Sequence, residues 1–344
     1  MKGDLSRRAV LAHVIAAGAL AGVPRFARAN AATVISWYPG LLGSNFKNAF
    51  FESYPDKVSC RLVESWDNPR FTQMQANRNN PNVDVATFID VLLPLVARSG
   101  LVEKLTVTAI PNLNDVDPAV RAWADYAVPV TYGSWGILYN AARVTKPIVS
   151  WKDLLREDLK GRVSHPNITY NSSIYSLDAL SRLSGGSLEK PEAGMKALRQ
   201  IRLAGPGLWE QESIAVGWIK TEEIWATPYF SGTVLAMKEE KDIPPLKFVV
   251  PEEGAYYVPM NVTKVTNSAN PAGADRFINH MLATGPQEMW TKIGRSRPVN
   301  RNVKVPHDVA ETVPPVGDLR KIDWDYYARE RSNLVTEWNS IVNR

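Results

Sequence analysis

Carboxylates, hydroxyls and aromatic rings recur in this sequence where an apolar, β-prone run gives way to a helix-like one. Trp37 and Tyr38 end the run TVISWY, and Asp90 follows VDVATFI. Ser172 and Ser173 lie between a β-prone and a helical stretch, and Tyr229 stands near the end of ATPYF, just ahead of Ser231. Tyr132 and Ser134 lie within YAVPVTYGSWGILYN, Tyr257 lies within AYYVPMNV, and Glu212 precedes Ser213. Ring faces supply apolar area and attract cations through their quadrupole. Hydroxyls and the free amides at a helix start donate hydrogen bonds and favour anions. Asp90 and Glu212 are the acids able to face a cation. As plainer alternatives, Asp90 would cap the helical run from Val91, and Glu212 would cap a helix or face solvent. The set is poor in reactive groups. No G-x-S-x-G, H-E-x-x-H, G-x-x-x-x-G-K or strand–helix G-x-G-x-x-G occurs. His13, His165, His280 and His307 are scattered, without triad or metal spacing. Cys60 is the single cysteine, which excludes an intrachain disulfide and a thiolate cluster; it reads as buried and inert. No catalytic residue, metal ligand or cofactor is expected.

The elements that must position these residues alternate. Residues 33–38 form a short strand, ended by Pro39-Gly40. A helical phase with Leu42, Phe46, Ala49 and Phe50 on one face comes next. Strands are predicted at 58–66 and 83–88, with a polar helix at 69–77 between them and a helix at 91–97 after. A βαβαβα order implies a parallel sheet wrapped by helices. Residues 126–140 are β-prone but carry Pro129, Gly133 and Gly136, which fits a bent strand or crossover. The pattern then restarts: a short helix at 151–155, a strand at 161–168, helices at 172–183 and 191–203, a strand at 226–230, a helix to about 239 and a strand at 246–250. A second crossover is predicted at 255–265. Asn270 and Pro271 then open a helix whose apolar stripe is Ala274, Phe277, Ile278, Met281 and Leu282. Residues 315–344 read as a charged helical tail. In open α/β sheets ligands bind beyond the carboxyl ends of the strands, which is where the residues of the first paragraph fall.

At 344 residues and 45% hydrophobic, the chain can build two cores. The formal charge of +5 is concentrated at the start: Lys2, Arg7, Arg8, Arg25 and Arg28 stand against Asp4 in residues 1–30. The remainder is close to neutral, which excludes a basic nucleic-acid footprint. Ser6-Arg7-Arg8, an Ala/Gly-rich apolar run at 9–23, Pro24, and the small-x-small sites Ala27-Arg28-Ala29 and Ala29-Asn30-Ala31 make an export signal. The paired arginines resemble the twin-arginine export motif. An ordinary Sec signal or an uncleaved anchor are the alternatives. The apolar run is too short to span a hydrocarbon core of roughly 30 Å comfortably. The expectation is therefore a periplasmic chain, cleaved near Ala29 or Ala31, with no stable membrane insertion.

With those elements in order, the sequence resembles the periplasmic binding proteins of polyamine-type ABC importers, the spermidine/putrescine-binding group of the type II fold. The resemblance is carried by SWYPGLLGSNF, VDVATFID, VPVTYGSWGILYNAARV, SWKDLLREDLKGRV, TPYFSGTVLAM, VPEEGAYYVPMNV and ANPAGADRFINHML, which together span nearly all of the chain after the signal. It implies two α/β lobes joined by two crossovers, closing on a small polar solute like a hinged clamp. It further implies permease and ATPase partners, a monomer and no enzymatic activity. Trp37 and Tyr38 fall where the family contacts ligand, Asp90 just past its third-strand loop, and Tyr257 where polyamine binders place an aromatic ring. Two positions where those binders carry acids here read Pro259 and Asn171-Ser172-Ser173. Either Asp90 and Glu212 supply the charge for an amine or amino acid, or the serine-lined helix start takes a carboxylate, a phosphonate or a sugar phosphate. Iron(III) binding through Tyr256-Tyr257, ligand sensing in place of transport, and an exported hydrolase are the other readings. The expected division gives residues 32–133 and 257–301 to the first lobe, and 134–256 and 302–344 to the second.

Overall fold

The computed structural model describes residues 32–121, 123 and 125–344. The expected export signal falls on residues 1–31 and lies outside them.

The β-branched opening run forms β1 (Thr33–Trp37), and Pro39 with Gly40, at φ 71°, turns the chain into α1 (Gly40–Phe46) and a π-helical turn, Lys47–Phe51. Then come β2 (Cys60–Glu64), α2 (Asp67–Ala76) and β3 (Val85–Ile89). Both β2 and β3 pair with β1 in parallel, as the alternation of elements predicts. The second strand is shorter than expected, because Val58 sits 93% exposed in a 3-10 turn, Lys57–Ser59, with no neighbour to bury it. After β3 the chain makes a 3-10 turn, Asp90–Leu92, before α3 (Leu93–Arg98), and the short β4 (Val102–Glu103) pairs antiparallel with Lys264 and Val265.

The bent segment is β5 (Val128–Asn140), thirteen residues long. Its first half, with Val128, Val130 and Tyr132, lies in one core, and its second half, with Trp135, Ile137 and Leu138, lies in the other. The second lobe is built from β6 (His165–Pro166), α4 (Ser173–Arg182), α5 (Glu192–Ala204), β7 (Leu208–Trp209), α6 (Glu212–Lys220), β8 (Ala226–Phe230), α7 (Ser231–Met237) and β9 (Leu246–Val249). The strand expected over 161–168 is reduced to His165–Pro166, since Pro166 has no N–H for a longer ladder. The stretch 151–155 is a 3-10 turn, not an α-helix, closed by a capping box from Ser150 and Asp153.

The chain returns through β10 (Tyr256–Val265), which runs antiparallel to both β3 and β5. A register shift falls between Met260 and Asn261, where Thr131 and Pro129 are the partners and Val130 is the extra residue of a bulge. Next is α8 (Pro271–Met281), whose Gly273 N–H donates to Asn270 Oδ1 at 3.0 Å. Its predicted stripe of Ala274, Phe277, Ile278 and Met281 is wholly buried. α9 (Thr284–Gly294), β11 (Arg297–Pro298), α10 (His307–Thr312) and α11 (Trp324–Ile341) complete the chain.

One hydrogen-bonded sheet, ordered β11-β5-β10-β3-β1-β2, passes from lobe to lobe through β5 and β10, with β8 and β9 added to the far half of β5. Two large apolar clusters lie on either side of that waist, and a smaller third packs behind β3. The two-lobe α/β class read from the sequence is the one observed. The buried residues of 303–319, from Val309 to Leu319, pack in the first cluster, and the chain re-enters the second at Ile322 and Trp324. α11 then packs on α5 and on α3, with Arg98 of α3 paired to Asp325, so it straddles both lobes.

Candidate functional site

The first lobe sets its strand tips with one buried cation. Arg70 of α2 is 1% exposed. Its guanidinium donates to Ser36 Oγ in β1 at 2.8 Å, to Asp67 Oδ1 at 3.2 Å, and to the carbonyls of Ser65, just past β2, and Thr87, in β3. The ends of three parallel strands are thereby tied to one side chain. Tyr38 lies over the guanidinium, 4.9 Å from its ring centroid, and donates to Asp67 Oδ1 at 2.7 Å. Burial pushes the Asp67 carboxyl up to about 6 against the pull of Arg70 and Tyr38, and burial with Asp67 raises the Tyr38 phenol well above its ordinary value. Trp37, expected at the ligand, lies in the first-lobe core. It is fully buried, stacked 4.0 Å from Phe46 and edge-on to Trp290, with the buried Tyr38 ring 5.5 Å away. Trp66, the residue after Ser65, is 59% exposed at the tip of β2, 6.0 Å from the Tyr38 ring.

The second lobe presents an acid at its tips. Glu212 opens α6, half-buried, and accepts from Tyr170 Oη at 2.6 Å and Tyr229 Oη at 3.3 Å. Among the described residues it forms no ion pair with Lys or Arg. Burial and the Glu212 charge raise both phenols well above their usual range, so both stay protonated as donors. Tyr170 packs 4.9 Å from Trp209, which packs 5.8 Å from Tyr229, and Phe230 meets Trp135 edge-on at 4.6 Å. Ser172 and Ser173 lie buried at the start of α4, and Ser173 Oγ has no hydrogen-bond partner among the described residues.

The waist holds the other acid. Asp90 does not cap a helix. It is the first residue of the 3-10 turn, and its carboxylate accepts from Trp123 Nε1 at 3.2 Å, Asn261 Nδ2 at 3.0 Å and Trp324 Nε1 at 3.2 Å. Trp324 belongs to the second core, so Asp90 joins the lobes at the hinge. Burial pushes its carboxyl up to about 6, opposed by the three N–H donors and by Lys321. Tyr132 and Tyr257 lie 5.2 Å apart on one face of the crossovers, both buried, with Tyr257 Oη donating to Val120 O at 3.2 Å and Lys321 over its ring. Ser134 is fully buried, its hydroxyl donating to Thr312 O and its N–H to Ser231 Oγ, which makes it a brace of the waist. Tyr256 and Tyr257 face opposite cores, with Tyr256 Oη on Asp178 at 2.7 Å, so their hydroxyls do not converge as an iron pair would.

Of the residues picked from the sequence, Glu212 with Tyr229, and Tyr132 with Tyr257, are brought together. Tyr38 and Asp90 follow adjoining first-lobe strands, and both are buried, as are Trp37 and Ser134. Arg70 and Trp66 were missed. Trp66 was legible, because the strand-tip rule applied to the end of β2 selects it. Arg70 was not, since nothing local marks an arginine that will be buried. A cavity of about 140 Å³ beside Tyr132 is lined only by residues of the first lobe's pieces, among them Asp117, Arg297 and Arg301.

The described residues thus form two α/β lobes joined through β5 and β10, and known proteins share this architecture. Over 250 residues, 68% of this chain and 66% of the relative, it is 21% identical to the spermidine/putrescine-binding periplasmic protein 1 of Haemophilus influenzae; the match spans just under two thirds of that relative. The structure of the Atu4243 GABA receptor superposes with TM-score 0.74 at 18% identity, covering 89% of this chain and 96% of that one. The periplasmic binding protein AfuA of Actinobacillus pleuropneumoniae, with fructose 6-phosphate bound, superposes with TM-score 0.68 at 20% identity, covering 91% and 98%. Residues 80–330 match the model of the bacterial extracellular solute-binding proteins, and the chain belongs to that family.

Proposed function

We propose that this chain captures a solute carrying a protonated amine between its lobes and hands it to an ABC-type permease and ATPase. Those relatives are named for amine, amino-acid and sugar-phosphate ligands alike, so the residues must decide. Glu212 carries the reading. It is a half-buried carboxylate at a strand-tip helix start, held by two phenols, with no cationic side chain paired to it among the described residues. A carboxylate placed so has its hydrogen bonds but not its charge balanced, and an ammonium group supplies that balance. Tyr170 and Phe230, both partly exposed, offer ring surface beside it for the cation and its carbon chain. Tyr229 fixes the carboxylate. Asp90 adds negative charge at the hinge, Tyr132 and Tyr257 form the rear wall, and Tyr38 supports the first-lobe face. In this reading the chain is exported to the periplasm and acts as a monomer without catalysis.

Ser173 Oγ supports a second component. A buried hydroxyl without a partner among the described residues, at the start of a ten-residue helix, suits a carboxylate on the same solute. An ω-amino acid would then use both groups. The test is a thermal-shift panel of putrescine, spermidine, γ-aminobutyrate and fructose 6-phosphate. A solute at 100 times its dissociation constant stabilises by about 2.7 kcal/mol. A shift with any of the first three supports the proposal; a shift with fructose 6-phosphate alone contradicts it.

A further inference from the structure

Resting on the amine reading, we infer that Trp66 is the specificity-determining contact of the first lobe, an indole plate onto which the second lobe presses the solute. Trp135, Trp151, Trp209 and Trp290, by contrast, are all at most 1% exposed, whereas Trp66 is 59% exposed. Its place is fixed from below rather than from its own side chain. The Ser65 N–H donates to Trp37 O at 2.8 Å, continuing the β1–β2 ladder to the tip. Trp66 O accepts the Arg70 N–H at 2.9 Å, the first bond of α2, and the Arg70 guanidinium holds the Ser65 carbonyl. The ring is tilted 52° to Tyr38, which is itself pinned by Asp67 and Arg70. The backbone is thus clamped on both sides of a side chain left in water at the carboxyl end of a parallel strand, the end from which these sheets bind ligands. A single exposed apolar residue needs no explanation in itself; one anchored at a strand tip by a buried arginine is placed for contact. Beside the charge of Glu212 from the second lobe and of Asp90 at the waist, Trp66 supplies ring area from the tip of β2. That division favours amines with a carbon chain over compact cations.

The experiment is calorimetric titration of putrescine, spermidine and γ-aminobutyrate into wild type, Trp66→Ala and Trp66→Phe, with iodide quenching of tryptophan emission in wild type and Trp66→Phe. The alanine variant is expected to bind about 10-fold more weakly and the phenylalanine variant within about 3-fold of wild type, the range set by cation–ring contacts. The melting temperature of the free chain should not change. The amine should also remove the fraction of iodide quenching that Trp66→Phe lacks. If wild type binds an amine and Trp66→Ala binds it equally, or the quenching is unaltered, the inference falls and the amine reading stands. If wild type binds none of the three, the reading falls and the inference with it.

Discussion

Replacing Arg70 by Met should damage the first lobe far more than any surface charge would. The guanidinium is 1% exposed, so its removal exposes nothing to compensating water. It would leave Asp67 buried without its cation, a loss of about 3–5 kcal/mol for a broken buried pair. It would also strip a donor from the part-buried Ser65 carbonyl and from two buried acceptors, the Thr87 carbonyl and Ser36 Oγ, the buried ones worth about 1–3 kcal/mol each before relaxation. These terms overlap, and a total of about 4–6 kcal/mol is expected from a native stability of about 5–15 kcal/mol. Urea unfolding followed by circular dichroism measures it. Adding Asp67→Asn to Arg70→Met should recover at least about 2 kcal/mol, because the stranded charge is then gone. Arg98→Met, which removes an exposed partner of Asp325, should change nothing measurable. A loss below about 1 kcal/mol for Arg70→Met, or no recovery in the double variant, would refute the bracing role argued from three strand ends.

Asp90 predicts a pH dependence. Its carboxyl sits at about 6 in the fold and near 3.9 in the unfolded chain, so the fold binds its proton more tightly. The stabilisation it gives is complete below about pH 4 and is lost as pH rises through about 6, on the order of 3 kcal/mol in all. Asp90→Asn removes that titration, so the stability of Asp90→Asn relative to wild type should rise from pH 4 to pH 7; a difference independent of pH contradicts the assignment. Gly136→Ala should cost about 1–3 kcal/mol by overpacking: its Cβ would lie 2.3 Å from Val249 O and 2.7 Å from Phe248 Cζ, forcing β9 off β5. Thermal unfolding reads the cost, and an unchanged midpoint would mean that the β5–β9 seam has room.

The frame of the molecule was legible because it rests on short-range rules. Period and punctuation gave the alternating elements, Pro129, Gly133 and Gly136 marked the crossover, and Asn270-Pro271 marked the start of α8. Besides Arg70, three things were not legible, each for a physical reason. Trp37 and Tyr38 look like exposed strand-tip aromatics, but both are buried in the first-lobe core with their rings 5.5 Å apart, because the partners that cover them, Phe46, Trp290 and Arg70, lie on other elements. Asp90 looked like a cap because capping is local; its actual partners, Asn261 and Trp324, arrive from 171 and 234 residues away. Glu212 was visible as an acid, but its two phenol donors come from Tyr170 and Tyr229, on separate segments 42 and 17 residues distant, which only the fold brings together.

The most direct measurement is calorimetric titration of wild type and Glu212→Gln with whichever amine gives the largest thermal shift. Glutamine keeps the size and an acceptor for Tyr170 while removing the charge. Loss of one desolvated ion pair predicts about 3–5 kcal/mol, or more than 100-fold weaker binding. Equal affinity in both proteins would place the amine somewhere other than Glu212 and contradict the account.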